Sequence, residues 1–153
     1  MTAAAPSGRD AASKWLLLTY KIPREPTAKR VYVWRKLKQL GAAPLQDAVW
    51  LLPATEKNRE QLQWIASEIM ESGGEASLFE STLLMAGDVQ FHALFASRVR
   101  KTYREILQSL RARRPDLAEL SKKYQRAKAL DFFDSPLGRR VRAKLLSAQE
   151  AKL

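Results

Sequence analysis

One stretch constrains the fold more than any other: Trp15 to Pro53, WLLLTYKIPREPTAKRVYVWRKLKQLGAAPLQDAVWLLP. Its opening run, Trp15 to Tyr20, is apolar on both alternating faces. It lies between Lys14 and Lys21 and is too short to span a bilayer. Such a run reads as a central strand covered on both sides, or on one side by a dimer partner. Pro23 and Pro26 bar regular structure next, since proline lacks the N–H and restricts the residue before it. A helix is predicted from Thr27 to Leu40, with Val33, Leu37 and Leu40 on one stripe and Trp34 assigned to the core at the stripe's border. Gly41 suits a left-handed C-cap. The second β-like run, Leu45 to Leu52, ends at Pro53. Its Gln46-Asp47 break allows one bent strand or two short ones. Strand, crossover helix and strand in so few residues read as a βαβ-type unit, which requires a second layer to cover it.

The chain downstream completes that sheet. Thr55 is a suitable N-cap for a helix whose Leu62, Ile65, Ala66, Ile69 and Met70 recur at helical spacing. Gly73-Gly74 ends the helix. Glu75 to Leu84 reads as a further strand, with Ala76 and Leu78 turned inward and Phe79 a candidate for the same side. The order β-α-β(β)-α-β predicts a ferredoxin-like α+β sandwich, βαββαβ, over residues 14–86. Residues 87–153 read as a helical extension packed on it. A long helix from Val89 to Ala112, capped by Gly87-Asp88, carries Phe91, Phe95, Val99, Ile106 and Leu110. Pro115 fits the first turn of a second helix, through Leu117, Leu120 and Tyr124 to Leu130, and the short loop before it makes a C-terminal helical hairpin. Phe132 and Phe133 read as anchors of a turn. Ser135 as N-cap and Pro136 at the first helical position start a last short helix through Leu137, Val141 and Leu145. Residues 1–13 read as a disordered polar tail without the layout of a secretory signal.

Charge points to a partner. The chain has 27 Lys and Arg against 16 Asp and Glu, a net of +11. Residues 1–80 hold 11 basic and 9 acidic side chains, whereas residues 81–153 hold 16 and 7. Within the first half, Lys21, Arg24, Lys29, Arg30, Arg35, Lys36 and Lys38 face a single acid, Glu25, over residues 21–38. Asymmetry of this kind suits a polyanion, with DNA or RNA the first candidate.

Catalytic patterns are missing from the sequence. With no cysteine there is neither a thiolate metal site nor a cysteine nucleophile. His92 is the only histidine, which excludes a His-His metal pair, and it reads as structural or exposed. No P-loop, G-x-S-x-G or G-x-G-x-x-G occurs. Asp131 and Asp134 sit beside a predicted N-cap, a position that serves the helix dipole. The expectation is a cytoplasmic binding protein that is not an enzyme, with no cofactor, no metal and no membrane span.

At these residues a resemblance enters. WLLLTYKIPREPTAKRVYVWRKLKQLGAAPLQDAVWLLPAT, followed by a helix ending in Gly-Gly-Glu-Ala, resembles the N-terminal domain of the chromate resistance proteins called ChrB. Phe95-Ala96-Ser97-Arg98, Tyr103, Lys123-Tyr124 and Leu130-Asp131-Phe132-Phe133 resemble the helical half of that domain. The likeness runs over nearly all of residues 14–148. It implies chromate-responsive regulation of a chromate efflux operon, with chromate as effector, and full-length members carry a further C-terminal domain. A remoter likeness extends to the middle domain of phenylacetate-catabolism repressors and to the small ferredoxin-fold nucleases of CRISPR systems. Those relatives imply a homodimer formed through the sheet. The nucleases place a metal-binding aspartate after a tyrosine at the strand end, where this chain has Tyr20-Lys21. A lysine repels a divalent cation, so nuclease activity does not carry over.

The expected DNA-binding residues are Arg24, Lys29, Arg30, Arg35, Lys36 and Lys38 around the first helix, with Arg98 and Lys101 in the helical half. The alternative is a chromate-binding accessory protein or a protein-interaction module. In the first of these, Arg24, Lys29 and Arg30 at the entry to the first helix hold the tetrahedral dianion.

Overall fold

The computed structural model describes residues 14–85 and 88–152, which fall into two compact units, Met1–Asp88 and Val89–Leu153. The expected tail over residues 1–13 and the Gly87 cap lie outside the described residues.

Unit 1 is α+β. Its elements run β1 (Trp15–Lys21), α1 (Thr27–Gln39), β2 (Ala43–Gln46), β3 (Val49–Pro53), α2 (Glu56–Glu71) and β4 (Glu75–Ser81). The sheet order is β2-β3-β1-β4, and every neighbouring pair is antiparallel. β1 is therefore central, as its two apolar faces require. It runs in the same direction as β2, with β3 inserted between them, so α1 is a crossover that skips one strand. Register places Leu16 opposite Leu52, and Leu18 opposite both Trp50 and Leu78. Leu16, Leu18, Trp50 and Leu52 are buried on this face. α2 covers β1 and β4 with Leu62, Ile65, Ala66 and Ile69. Each large apolar side chain buried this way contributes about 1.5–3 kcal/mol.

Local chemistry sets the boundaries. Gly41 takes φ 81° just past α1, the left-handed conformation that favours glycine. The Gln46-Asp47 break separates two short strands. Pairing shifts between Pro44 and Gln46, and Ala48 turns the hairpin at φ 59°. Thr55 caps α2, accepting from the Asn58 N–H at 3.0 Å. The buried Asn58 amide in turn donates to the Pro53 carbonyl at 3.0 Å.

Three expectations about side chains in unit 1 need correction. Trp34 is not a core residue: it is 50% exposed, because one residue past Val33 rotates it by about 100°, out of the buried stripe. Phe79 is also 50% exposed, since alternation sends it to the face opposite Leu78. Met70 lies outside the buried stripe of α2. β4 stops at Ser81 rather than Leu84, because Ser81 pairs with Trp15, the first residue of β1, and the ladder ends there.

Unit 2 is helical. α3 (Asp88–Ser109), which begins at the boundary, α4 (Leu117–Ala129) and α5 (Pro136–Ala151) supply a core of Val99, Tyr103, Ile106, Leu120, Tyr124, Ala127, Val141 and Leu145. α3 ends three residues before the expected Ala112. Pro115 precedes α4 rather than opening it: Asp116 is the cap and accepts from the Glu119 N–H at 3.2 Å. Ser135 and Pro136 start α5 as the sequence predicts, with Ser135 Oγ accepting from the Gly138 N–H at 3.0 Å, but at 16 residues α5 is longer than α4 and not the short helix expected. Asp131 has a fuller role than the dipole reading gives it. Its carboxylate accepts the Tyr103 hydroxyl at 2.9 Å and the Ser135 N–H at 3.1 Å, which ties the α4–α5 turn to α3. Asp134 pairs with Arg139 at 2.8 Å.

Candidate nucleic-acid interface

α1 buries only Val33 and Leu37, and the rest of its surface is exposed. Helical geometry then distributes its cations over three directions. Lys29 lies on the flank toward α2, where it lines a cleft of about 660 Å³ with Tyr32, Glu68, Glu71 and Ser72. Its Nζ donates to Ser72 Oγ at 3.1 Å. A hydrogen bond to Glu68, then desolvation and the Glu68 charge, hold the Tyr32 hydroxyl above its ordinary pKa. Arg30 lies on the opposite flank, in a second cleft of about 500 Å³ formed with Trp34 and the β2–β3 hairpin. Arg35 and Lys38 fall on the outward face, and Lys36 on the Lys29 flank. Arg24 is exposed in the turn before α1. Lys29 and Arg30 thus diverge, and neither cleft gathers the trio of Arg24, Lys29 and Arg30.

The exposed rings of α1, one on each flank, carry cations. Lys36 Nζ lies 5.6 Å from the centre of Tyr32, and Lys38 Nζ lies 5.4 Å from that of Trp34. Both are cation–π distances.

Most of the net charge belongs to unit 2, where residues 89–153 hold 16 basic and 6 acidic side chains, a net of +10. α3 is two-faced. Phe95, Val99, Tyr103 and Ile106 point into the core. On the other side Ser97, Arg100, Lys101, Arg104 and Gln108 share one exposed surface with Glu105. Ser97, Lys101, Arg104 and Gln108 are spaced four, three and four residues apart, which makes a straight row along the helix. Glu105 is held from α4 by Lys123 at 2.8 Å. That hydrogen bond, with the Lys123 charge, keeps the carboxyl below its ordinary range. Arg98 faces elsewhere. It lines a groove with Thr102, Lys123 and Arg126 between α3 and α4, and its guanidinium lies 5.8 Å from the Phe95 ring. Lys101 and Arg98 therefore serve different surfaces. Arg100 and Arg126 extend the set beyond Arg98, Lys101 and Arg104, which the sequence singles out; Arg100 lies three residues from Ser97 and four from Arg104, the helical spacing that puts it beside the row.

His92 stacks on Phe133 with ring centres 4.1 Å apart, a packing role. Among the described residues no three His, Cys, Asp or Glu side chains gather as a metal site, and no helix is long and apolar enough to cross a membrane.

Comparison with known proteins gives a consistent picture. The family model described as Protein ChrB, N-terminal, matches residues 30–129, which include most of α1 and all of α3 and α4. Protein ChrB of Cupriavidus metallidurans (strain CH34) is 36% identical over 72 residues, a stretch covering 47% of this chain and 22% of that protein. The match therefore spans about a fifth of the relative's length. This chain belongs to the ChrB N-terminal domain family.

Proposed function

We propose that this chain is the DNA-binding part of a chromate-resistance regulator, and that unit 2 grips duplex phosphates along the outer face of α3. The observation that carries this reading is the cluster of Arg100, Lys101 and Arg104, sharing one exposed surface with Gln108, in a unit with a net charge of +10. Each cation alone is a weak surface charge. Several set against a phosphate track act together, because each contact releases condensed counterions. Arg98 and Arg126, in the α3–α4 groove, add to the field around the row.

The same reading makes the chain a cytoplasmic binding protein rather than an enzyme, with chromate as effector and a homodimer as the form that doubles the basic row. It also takes unit 1 as a ferredoxin-like sandwich. The order β2-β3-β1-β4, antiparallel throughout and with both helices as crossovers, supports that assignment. The oxyanion alternative at Arg24, Lys29 and Arg30 draws little support, because Lys29 is bonded to Ser72 beside two glutamates while Arg30 faces the other way.

The test is anisotropy of a labelled duplex titrated across a salt series. Replacing Arg100, Lys101 and Arg104 with alanine should weaken binding about equally for promoter and random sequences. It should also flatten the slope of log K against log salt by about 0.9 per lost contact. An unchanged slope would remove α3 from the interface.

A further inference from the structure

The cleft between α1 and the β2–β3 hairpin has a composition that phosphate binding does not use. Trp34 forms its wall and is half-exposed, with Val31 beside it. Trp50 and Tyr20 form the floor, locked together by a hydrogen bond from Trp50 Nε1 to the Tyr20 hydroxyl at 3.2 Å. Arg30, Gln46 and Asp47 supply donors and acceptors around the mouth. The volume is about 500 Å³. We propose that this cleft takes an unpaired nucleobase of a single-stranded nucleic acid, stacked on Trp34 while Arg35 and Lys38 hold the flanking phosphates. The inference goes beyond the duplex contact proposed for α3 and uses different residues.

Charge complementarity fixes the class of occupant. From Thr27 to Gln39 the helix carries Lys29, Arg30, Arg35, Lys36 and Lys38 and no acidic side chain. A second copy of such a helix is repelled. Protein interfaces exclude lysine from their centres, whereas here Lys38 sits over the exposed indole itself. Cations set among exposed rings are what a single strand uses: the backbone tracks the positive charge and any base can stack. Trp64 shows that exposure alone is not the argument. It is 65% exposed on α2, but that helix carries Glu56, Glu60, Glu68 and Glu71 against Lys57 and Arg59. Trp34 is the exposed indole that has both a cationic surround and a cleft at its edge.

Stacking on one aromatic side chain is worth about 1–3 kcal/mol per base. Trp34→Ala should therefore weaken binding of an oligothymidylate 12-mer by about 5- to 150-fold. Trp34→Phe should retain most of the affinity. Duplex affinity of both variants should match the parent, and quenching of tryptophan fluorescence by the oligomer should be largely lost with Trp34. A second variant, Arg35→Ala with Lys38→Ala, should flatten the single-strand salt slope by about 0.7 per contact and leaves the cleft intact, which covers a Trp34→Ala that does not fold. Single-strand affinity unchanged in Trp34→Ala and in the double variant overturns the proposal. So does failure of the parent to bind the 12-mer while it binds duplex. Loss of self-association in Trp34→Ala without an effect on the 12-mer would make the cleft a protein-docking surface and equally overturns it. Loss of duplex binding in the α3 triple variant, with 12-mer binding intact, supports both readings. Retention of both by the triple variant defeats only the α3 reading.

Discussion

Gly138→Ala is the most diagnostic single substitution, because two effects of opposite sign meet at one atom. Gly138 lies in the first turn of α5 at ordinary helical φ, where alanine is favoured over glycine by about 0.5–1 kcal/mol. Propensity alone thus predicts stabilisation. A Cβ at this position, however, would lie 2.8 Å from the Tyr103 hydroxyl oxygen, and 2.9 Å from both Asp131 Oδ2 and Tyr103 Cε2. Tyr103 cannot withdraw: it is 1% exposed and surrounded by the core of unit 2. Overpacking of this kind costs about 1–3 kcal/mol. If the ring does shift, the Tyr103–Asp131 hydrogen bond is lost, and a bond to a charged acceptor is worth about 1.5–3 kcal/mol. The clash outweighs the propensity, and the expected net effect is destabilisation by about 0.5–2 kcal/mol. For a chain of this size that lowers Tm by about 2–4 °C per kcal/mol. Urea and thermal unfolding followed by circular dichroism measure it directly. In a Tyr103→Phe background the penalty should shrink, because the nearest of the three atoms is gone, so the two substitutions should not add. A Gly138→Ala protein as stable as the parent, or more so, would show that the turn between α4 and α5 is not tied to Tyr103 as described.

The same cluster predicts a pH dependence. Desolvation first, then the hydrogen bond to Asp131 and its charge, raise the Tyr103 pKa well above the ordinary value of 10.0. The folded state therefore keeps its proton where the unfolded state loses it. Stability from this group is intact below about pH 10 and falls as pH rises beyond it, and Tyr103→Phe should flatten that alkaline limb in a pH series of urea midpoints. Asn58→Ala leaves the Pro53 carbonyl without its buried donor, and should lower stability by about 1–3 kcal/mol in the same assay. Amide hydrogen exchange should be faster in α1 than in α2, since α1 buries two side chains and α2 five, and equal protection would contradict the sparse anchoring of α1.

Much of the fold was legible because its signals are local and cumulative. Apolar runs gave β1 and β3, Gly41 and Gly73 gave the ends of the two crossover helices, and Thr55 and Ser135 act as the caps their spacing implies. Pairing was less visible. Nothing in the sequence says that β4 runs out at Ser81, because that limit is set by where β1 begins. Trp34 departs from the hydrophobic pattern for a related reason. Hydrophobicity assigns an indole to the core, whereas position on a helix with a two-residue stripe excludes it. The candidate surfaces divide the same way. Charge counts locate the basic half, but only geometry separates Arg98 from Lys101 and Lys29 from Arg30. Asp131 could be read as a capping residue, while its hydrogen bond to Tyr103 spans 28 positions and leaves no local pattern.

The two basic surfaces rest on opposite structural bargains. α3 is anchored by Phe95, Val99, Tyr103 and Ile106 along one side, so its cationic side can be crowded with like charges without loosening the helix. α1 is 13 residues long, near the length at which isolated helices are marginal, and contributes only Val33 and Leu37 to the core. Its remaining apolar surface, Val31, Tyr32 and Trp34, is left in water, where burial would have added about 1.5–3 kcal/mol per large side chain. Lys29 and Arg30 near its N-terminus oppose the helix dipole, with no acid in the first turn to offset them, and Arg35 repels Lys38 at i,i+3. A helix held this lightly, with its aromatics outside, fits the pattern in which local stability is given up at a surface that gains it back on binding. α3 supplies a rigid charged edge and α1 an under-anchored aromatic one, and that difference in packing is the physical ground for the different nucleic-acid partners proposed for them.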